Sequence, residues 1–348
     1  MMNNQVNIIQ DPDLGGVNQP LLIIEKLYKR FPIKGLFFSR KKKYVHALNG
    51  VSFELKKGET LGVVGESGCG KSTLAKLISG LLKQDSGDLI FDGQGVNEIR
   101  GISLKNLKKN LQMVFQDSYS SLNPRLTIEE AIAFGPTMHG MSKDDARQLA
   151  IQLLGRVGLD ANQFGNRYPS ELSGGQRQRV NIARALAFNP KMLILDESVA
   201  ALDKSVQAQI LNLLIDLKKE SKLTFLFISH DLQVVNYISD RLIVMYLGQI
   251  VEYGPSDKIF EKPRHPYTKA LFSSVPEYKK KIGVEQIILS GDPPNPINLP
   301  SGCKFRTRCP QVQEICMQEP VLRAVQPHQD YWVACHFAHP EQSKDGYL

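Results

Sequence analysis

No stretch of this 348-residue chain is apolar for long enough to cross a membrane. A span needs about 18–20 consecutive apolar residues. Here the hydrophobic residues, 42% of the total, are scattered as in an ordinary globular protein. The first twenty residues, Met1 to Pro20, carry neither a positive n-region nor an apolar h-region, so no secretory signal is expected. Sustained heptads, the mark of long coiled-coil insertions, are missing. Cysteine is scarce, five in all, and no two are spaced C-x2-C as in common zinc ribbons. These absences leave a cytosolic or membrane-peripheral chain, long enough for one large α/β domain and something smaller. The net charge is +8, with a local run Arg40-Lys-Lys-Lys43. A basic surface suits nucleic acid or anionic headgroups, but a solvated loop is the simpler account.

What the chain does contain is Gly65-Glu-Ser-Gly-Cys-Gly-Lys-Ser72, which fits G-x-x-x-x-G-K-[ST] at every fixed position. It follows a short apolar strand, Thr60 to Val64, and opens a helical run, Thr73 to Ile78. The glycines let backbone N–H groups turn inward around a β-phosphate, and the helix presents its positive end to the anion. Lys71 adds a point charge at the β- and γ-phosphates, and Ser72 a hydroxyl for Mg²⁺. Gly65, Glu66, Ser67, Gly68, Cys69, Gly70, Lys71, Ser72 and Thr73 are therefore the candidate triphosphate-binding loop.

Five further segments follow in order. Val114-Phe-Gln116-Asp117 places a glutamine after an apolar pair, and Leu172-Ser-Gly-Gly-Gln-Arg-Gln-Arg179 opens a helical run behind a glycine pair. The apolar strand Met192 to Leu195 ends in Asp196-Glu197, and Ala201-Leu-Asp203 comes next. A second apolar strand, Phe225 to Ile228, runs into Ser229-His230-Asp231. With the phosphate loop, these segments resemble the ATP-binding subunit of an ABC transporter: Walker A, Q-loop, signature, Walker B with its glutamate, D-loop and H-loop.

The residue types suit phosphoryl transfer to water, which needs a metal clamp, a water-orienting group and donors for the equatorial oxygens. Asp196, ending a buried strand, is the candidate partner of Mg²⁺ with Ser72 and Gln116. Glu197 is the candidate general base. Gln116 reaches metal and water, and His230 hydrogen-bonds the γ-phosphate. Gln116, Glu197 and His230 are thus the catalytic candidates, with Gln116, Asp196 and His230 also counted in ATP binding. The resemblance further implies that Ser173, Gly174, Gly175 and Gln176 cap the γ-phosphate held by an opposing ATPase subunit, so that two subunits sandwich two nucleotides. It makes Asp203 the D-loop residue and Tyr44 the best-placed aromatic to stack on adenine. Two positions depart from the family's habit: Ser198 stands where proline is common, and Ala200 where serine is common. Neither removes a catalytic group.

The expected fold is α/β: a P-loop NTPase of the ABC ATPase type with a RecA-like core, an antiparallel β subdomain and a helical subdomain near 104–180, plus a small C-terminal extension containing cysteines. Residues 1–19 are expected to be disordered, 20–260 to form the ATPase domain and 261–348 the extension. Leu21 to Ile24 begins the first strand, Phe31 to Tyr44 reads as an inserted loop, and Val51 to Leu55 as a half-exposed strand. Val206, Ile210, Leu213, Leu214 and Leu217 repeat at helical spacing. Arg241 to Tyr246 and Gln249 to Tyr253 read as a closing hairpin.

Three segments of the extension, Pro263 to Leu271, Leu289 to Pro296 and Gly302 to Pro310, resemble the C-terminal region of ATP-binding subunits from bacterial oligopeptide and dipeptide importers. Phe31-Pro-Ile-Lys-Gly-Leu-Phe37 brings the match closer to the F-type subunit. The branch also holds nickel and glutathione importers. The implied partners are a second, homologous ATPase subunit in a heterodimer, two transmembrane permeases and, through the complex, an extracytoplasmic substrate-binding protein. No nucleic-acid partner is implied, and the implied place is the cytoplasmic face of the inner membrane. A soluble ABC ATPase of DNA repair or translation is the competing class; a single cassette without heptads argues against it.

Cys303, Cys309, Cys316 and Cys335 fall at C-x5-C-x6-C-x18-C. Clustered cysteines in a reducing compartment suggest metal. A 4Fe–4S cluster, structural zinc and reduced cysteines without metal are the three readings, with Cys309-Pro310 and the resemblance pointing to iron–sulfur. Cys69, inside the phosphate loop, reads as packing.

Overall fold

The computed structural model describes residues 14–16, 19–33, 43–96, 101–275, 287, 289, 291–326 and 330–338. Most of the segment expected to be disordered, 1–19, and of the basic run 40–43 lies outside these residues. The elements in chain order begin with β1 (Leu22–Pro32), β2 (Tyr44–Leu55), β3 (Thr60–Val64), α1 (Lys71–Ile78), β4 (Ser86–Phe91) and β5 (Gln94–Gly95). Then come α2 (Leu104–Asn110), β6 (Leu111–Val114), α3 (Ile128–Met138), α4 (Lys143–Arg156), α5 (Ala161–Phe164), α6 (Gly174–Leu186), β7 (Met192–Asp196), α7 (Lys204–Ser221) and β8 (Thr224–Ile228). The chain closes with α8 (Leu232–Ile238), β9 (Arg241–Tyr246), β10 (Gln249–Pro255), α9 (Ser256–Glu261), α10 (Pro266–Ser273), β11 (Arg323–Ala324) and β12 (Trp332–Val333). Among the described residues no helix is long and apolar enough to cross a membrane.

Two compact units form. The first holds 56–59 and 90–228, with the N-terminal residues to Leu22. Its sheet is parallel, β6-β7-β8, with Leu111 opposite Met192, Val114 opposite Leu195 and Asp196 opposite Ile228. Parallel strands are covered on both faces and read as unbroken apolar runs, and Met192–Leu195 and Phe225–Ile228 are all 0% exposed. α3, α4 and α6 pack on one another. α3 starts at a capping box, in which Thr127 Oγ1 accepts the Glu130 N–H at 3.3 Å and the Glu130 carboxylate accepts the Thr127 N–H at 2.8 Å. In α4, Ala146, Leu149, Ala150, Leu153 and Leu154 form the buried stripe. α7 buries Ile210, Leu214 and Leu217 as its spacing predicts.

One buried charge in this unit is caged by cations and N–H groups. Asp92, 4% exposed, accepts from Lys191 Nζ at 2.8 Å, pairs with Lys57 at 3.2 Å, and accepts the N–H groups of Leu14 and Gly15 at 3.2 and 3.3 Å. Burial works to raise its pKa; the hydrogen bonds from Lys191 and Lys57 outweigh that and hold it at about 2.

The second unit holds 23–55, 60–89 and 229–348. Its larger sheet runs β11-β12-β10-β9-β3, parallel only between β3 and β9, where Leu61 faces Arg241 and Val64 faces Val244. β9 and β10 form the expected hairpin through Leu247-Gly248, both at positive φ (45° and 77°), the geometry of a tight two-residue turn. A second, antiparallel sheet contains β2-β1-β4. Its strands are longer than their sequence suggests: β1 runs on to Pro32, β2 starts at Tyr44, and the Ile33 N–H donates to the Lys43 carbonyl at 2.9 Å. The expected loop is thus closed at its base by strand pairing, and its interior, 34–42, lies outside the described residues.

The extension adds β11 and β12 to the edge of β10, with Glu252 opposite Val333. Its interior is aromatic: Phe305, 1% exposed, has its ring 5.3 Å from Tyr246, 5.5 Å from Tyr267 and 5.7 Å from His265. Burying such a side chain contributes about 1.5–3 kcal/mol. Beneath it Glu252, 0% exposed, accepts from the Tyr331 hydroxyl and from the N–H groups of Arg264 and His265 at 2.7 and 3.0 Å. Burial raises the Glu252 pKa, and these hydrogen bonds offset only part of the rise.

These contacts correct the expectation of a metal centre in the extension. Cys303, Cys309, Cys316 and Cys335 are free thiols. Among the described residues no group of three or more histidine, cysteine, aspartate or glutamate side chains is placed to hold a metal ion. Neither a 4Fe–4S cluster nor structural zinc is supported. Burial pushes the thiols of Cys303, Cys309 and Cys335 up, and the neighbouring cysteines add to the rise. The extension is held by apolar burial and by the Glu252 hydrogen bonds.

Candidate active site

The phosphate loop lies in the second unit, between β3 and α1. Gly70, the residue before α1, sits at φ 109°, and a Cβ there would fall 2.5 Å from the Ala47 carbonyl oxygen. Only glycine fits, and α1 consequently begins with no side-chain cap on its first N–H groups. Lys71, 6% exposed, donates to the carbonyls of Gly65 and Glu66 at 2.7 and 3.1 Å. The hairpin turn backs the loop: the Gly248 N–H donates to the Cys69 carbonyl at 2.9 Å. Cys69 is buried, and burial raises its thiol pKa against the pull of Lys71, which fits the packing role expected of it.

His230 is exposed in the same unit. The residue before it is anchored, because the buried Ser229 donates its N–H to the Val63 carbonyl at 3.4 Å. Asp231 behind it caps α8 by accepting from the N–H groups of Gln233 and Val234 at 3.0 and 3.3 Å. Tyr44, at the start of β2, has the Arg30 guanidinium 5.2 Å over its ring. The β2 residues against the phosphate loop at Gly70 are Ala47 and Leu48.

The first unit brings the other candidates together. Asp196, 7% exposed, ends β7, and Glu197 follows at φ 48°, a left-handed conformation that costs a non-glycine residue about 1–3 kcal/mol and is common at functional sites. The Glu197 N–H donates to the Ile228 carbonyl at 2.8 Å, which fixes the bend. Gln116 Nε2 donates to the Glu197 carboxylate at 2.8 Å, so the glutamine and the candidate base are already paired. Ser198 is buried, and its neighbours Glu197–Ala200 and Val199–Leu202 form successive turns. Asp203 caps α7, accepting the Val206 N–H at 3.0 Å and the Ser205 hydroxyl at 2.8 Å. The Val206 bond lowers the Asp203 pKa, with the Ser205 hydroxyl helping.

Ser173 and Gln176 form a second capping box: the Ser173 hydroxyl accepts the Gln176 N–H at 3.3 Å, and the Gln176 amide oxygen accepts the Ser173 N–H at 2.9 Å. A Cβ on Gly175 would lie 2.4 Å from Val206 Cγ1, so glycine here also lets α6 approach α7. Sequence reasoning missed the ties between α6 and the Gln116 segment. Asn181 donates to the Ser118 carbonyl at 3.0 Å and accepts from Ser121 Oγ at 3.0 Å, Arg184 donates to the Ser121 carbonyl, and Arg177 lies 5.5 Å over the Tyr119 ring. A polar residue, Asn181, set between the apolar Val180 and Ile182 of α6 was the available signal.

Comparison with known proteins decides the family. The ABC transporter family matches residues 48–200, and the oligopeptide/dipeptide transporter C-terminal region matches residues 251–316. The oligopeptide transport ATP-binding protein AppF of Bacillus subtilis is 48% identical over 91% of this chain and 97% of its own length. This chain belongs to the ABC transporter ATP-binding subunits, in the oligopeptide/dipeptide branch. OppF of Salmonella typhimurium, an oligopeptide transport ATP-binding protein, is also 48% identical, over 87% of this chain and 92% of its own. Among solved structures the ABC cassette MJ0796, a dimer in a post-hydrolysis state with ADP and phosphate, superposes with a TM-score of 0.59 at 29% identity, covering 68% of this chain and 98% of its own. Membership in this ABC family makes the chain an ATPase that uses ATP with Mg²⁺. Hard oxygen donors suit Mg²⁺, and the Asp196 carboxylate and Gln116 amide oxygen are of that kind.

Proposed function

We propose that this chain is the ATP-hydrolysing subunit of a membrane importer for peptides, working at the cytoplasmic face of the inner membrane. The observation that carries the reading is identity of 45–48% along nearly the whole chain to ATP-binding subunits of oligopeptide and dipeptide transport, extension included. In this reading residues 20–260 are the ATPase domain and 261–348 the branch-specific extension. Gly65–Thr73 holds the triphosphate, with Tyr44 against the adenine and Ser72, Gln116 and Asp196 as ligands of Mg²⁺. Glu197 takes the proton of the attacking water, aligned by the Gln116 amide, and His230 donates to the γ-phosphate. Ser173, Gly174, Gly175 and Gln176 act on ATP held by a second, homologous but distinct ATPase subunit, and Asp203 works at that same interface. The remaining partners are two permeases and, outside the membrane, a substrate-binding protein. Phe115 (37% exposed) and Tyr119 (51% exposed) flank Gln116 and offer the apolar footing a permease loop needs.

The test is Glu197→Gln in the assembled complex. An amide cannot accept the water's proton, and loss of a general base typically lowers rate by about 10²–10⁴. ATP binding is expected to persist while turnover and peptide uptake collapse together. Turnover near the wild-type rate would remove Glu197 from this role, and turnover without uptake of any di- or oligopeptide would remove the peptide assignment.

A further inference from the structure

Within the second unit, Glu66 of the phosphate loop is held by two residues of the extension. Its N–H donates to the Tyr267 hydroxyl at 2.9 Å. Its carboxylate oxygens both accept from Arg308 Nη1, at 2.9 and 3.2 Å. Tyr267 is 0% exposed, with its ring 4.6 Å from Tyr246 and 5.5 Å from Phe305, so its hydroxyl has a single location. The Arg308 side chain is 7% exposed against 25% for Glu66, a largely desolvated, charge-assisted contact of the stronger kind. Nothing in the phosphate-loop pattern asks for glutamate at this variable position.

The peptide unit involved is the informative part. The Glu66 N–H held by Tyr267 and the Gly65 carbonyl belong to the same planar group. That carbonyl accepts from Lys71 Nζ at 2.7 Å, and the next carbonyl, of Glu66 itself, accepts from Lys71 at 3.1 Å. Rotating the Gly65–Glu66 peptide moves the Gly65 carbonyl, the nearer of the two on which the lysine rests. We propose that Tyr267 and Arg308 are positioning residues for the phosphate loop: they fix the Gly65–Glu66 peptide and thereby the Lys71 ammonium, so that the extension sets how tightly this chain holds ATP. The inference rests on the reading of Gly65–Ser72 as the ATP loop. Preorganisation of this kind acts on binding and leaves the hydrolytic step, carried by Glu197, largely untouched.

The experiment uses the full-length chain, titrated with a fluorescent ATP analogue in the presence of Mg²⁺, and the assembled complex for ATPase kinetics. Arg308→Ala and Tyr267→Phe are expected to raise the Kd and the KM for ATP by roughly 5- to 20-fold, with kcat within about twofold of wild type. Arg308→Lys should recover part of the loss, and Glu66→Gln combined with Arg308→Ala should cost less than the two effects multiplied, since both break one contact. Tyr267→Phe removes a single oxygen and keeps the test alive if Arg308→Ala fails to fold. Lys71→Ala is the control for the site itself. If Lys71→Ala weakens binding while Arg308→Ala and Tyr267→Phe leave Kd and KM unchanged, or lower only the thermal midpoint, the positioning role is wrong and the ATP reading survives. If Lys71→Ala also leaves binding unchanged, the ATP reading falls first.

Discussion

Each unit of this protein holds a buried carboxylate outside the phosphate-binding motifs, Asp92 in one and Glu252 in the other, and the two are stabilised in opposite ways. Asp92, in the unit with the parallel sheet, sits between two ammonium groups and two backbone N–H groups, and its pKa falls to about 2. Glu252, in the unit with the extension, accepts from a phenol and two backbone N–H groups, and burial raises its pKa. A buried carboxylate facing cations stays charged, whereas one facing only neutral donors drifts toward its acid form. The comparison shows how the same side-chain chemistry closes a joint with cations in one unit and with neutral donors in the other.

The largest expected effect comes from breaking the Glu252 joint. Glu252→Ala leaves the N–H groups of Arg264 and His265 without their acceptor in a fully buried site and the Tyr331 hydroxyl with only the Lys262 carbonyl at 3.1 Å. The expected cost is about 3–5 kcal/mol, read as a fall in the denaturant midpoint. Replacing Cys303, Cys309 and Cys335 by serine, one at a time, should cost far less. A cysteine substitution as damaging as Glu252→Ala would return the weight of the extension to its sulfurs.

Asp92→Asn should cost less, about 1–2 kcal/mol at neutral pH, because the amide keeps an acceptor for Lys191 and Lys57 but loses the charge. The pH dependences then separate the two joints. The folded pKa of Asp92 lies below its ordinary 3.8, so its contribution is complete above that value and is lost as pH falls toward about 2. The folded pKa of Glu252 lies above its ordinary 4.5, so its contribution is complete below that value and declines as pH rises from there. Stability profiles of wild type, Asp92→Asn and Glu252→Ala should therefore converge at opposite ends. Parallel profiles would refute the contrast.

Neither joint is legible in the sequence, and the reason is separation. Lys191 is 99 residues from Asp92, Tyr331 is 79 from Glu252, and Arg308 is 242 from Glu66. The phosphate loop, the unbroken apolar strands ending at Asp196 and Ile228, the helix buried through Ile210, Leu214 and Leu217, and the β9–β10 hairpin were readable because each is specified by neighbours within a few turns or one strand. The pairing of Gln116 with Glu197 across 81 residues was open to inference only through the family resemblance. The cysteines misled for the converse reason. Their clustering and the family resemblance suggested ligands, while the packing that holds the extension depends on Phe305 and Glu252, which carry no local pattern.

The smallest expected effect is local and separates folding from function at one residue. Ser173→Ala removes the hydroxyl of the α6 capping box and should cost about 1 kcal/mol, since the Gln176 N–H loses its acceptor at an exposed helix start. Asparagine caps as well as serine, so Ser173→Asn should restore the denaturant midpoint. If the hydroxyl serves only the cap, Ser173→Asn also restores ATPase turnover in the complex. The expectation here is that it does not: the midpoint recovers and turnover stays low, because in the proposed sandwich the hydroxyl serves the nucleotide of the opposing subunit. Full recovery of turnover by Ser173→Asn would confine Ser173 to a structural role and leave the capping of the partner's phosphate to Gly174 and Gly175.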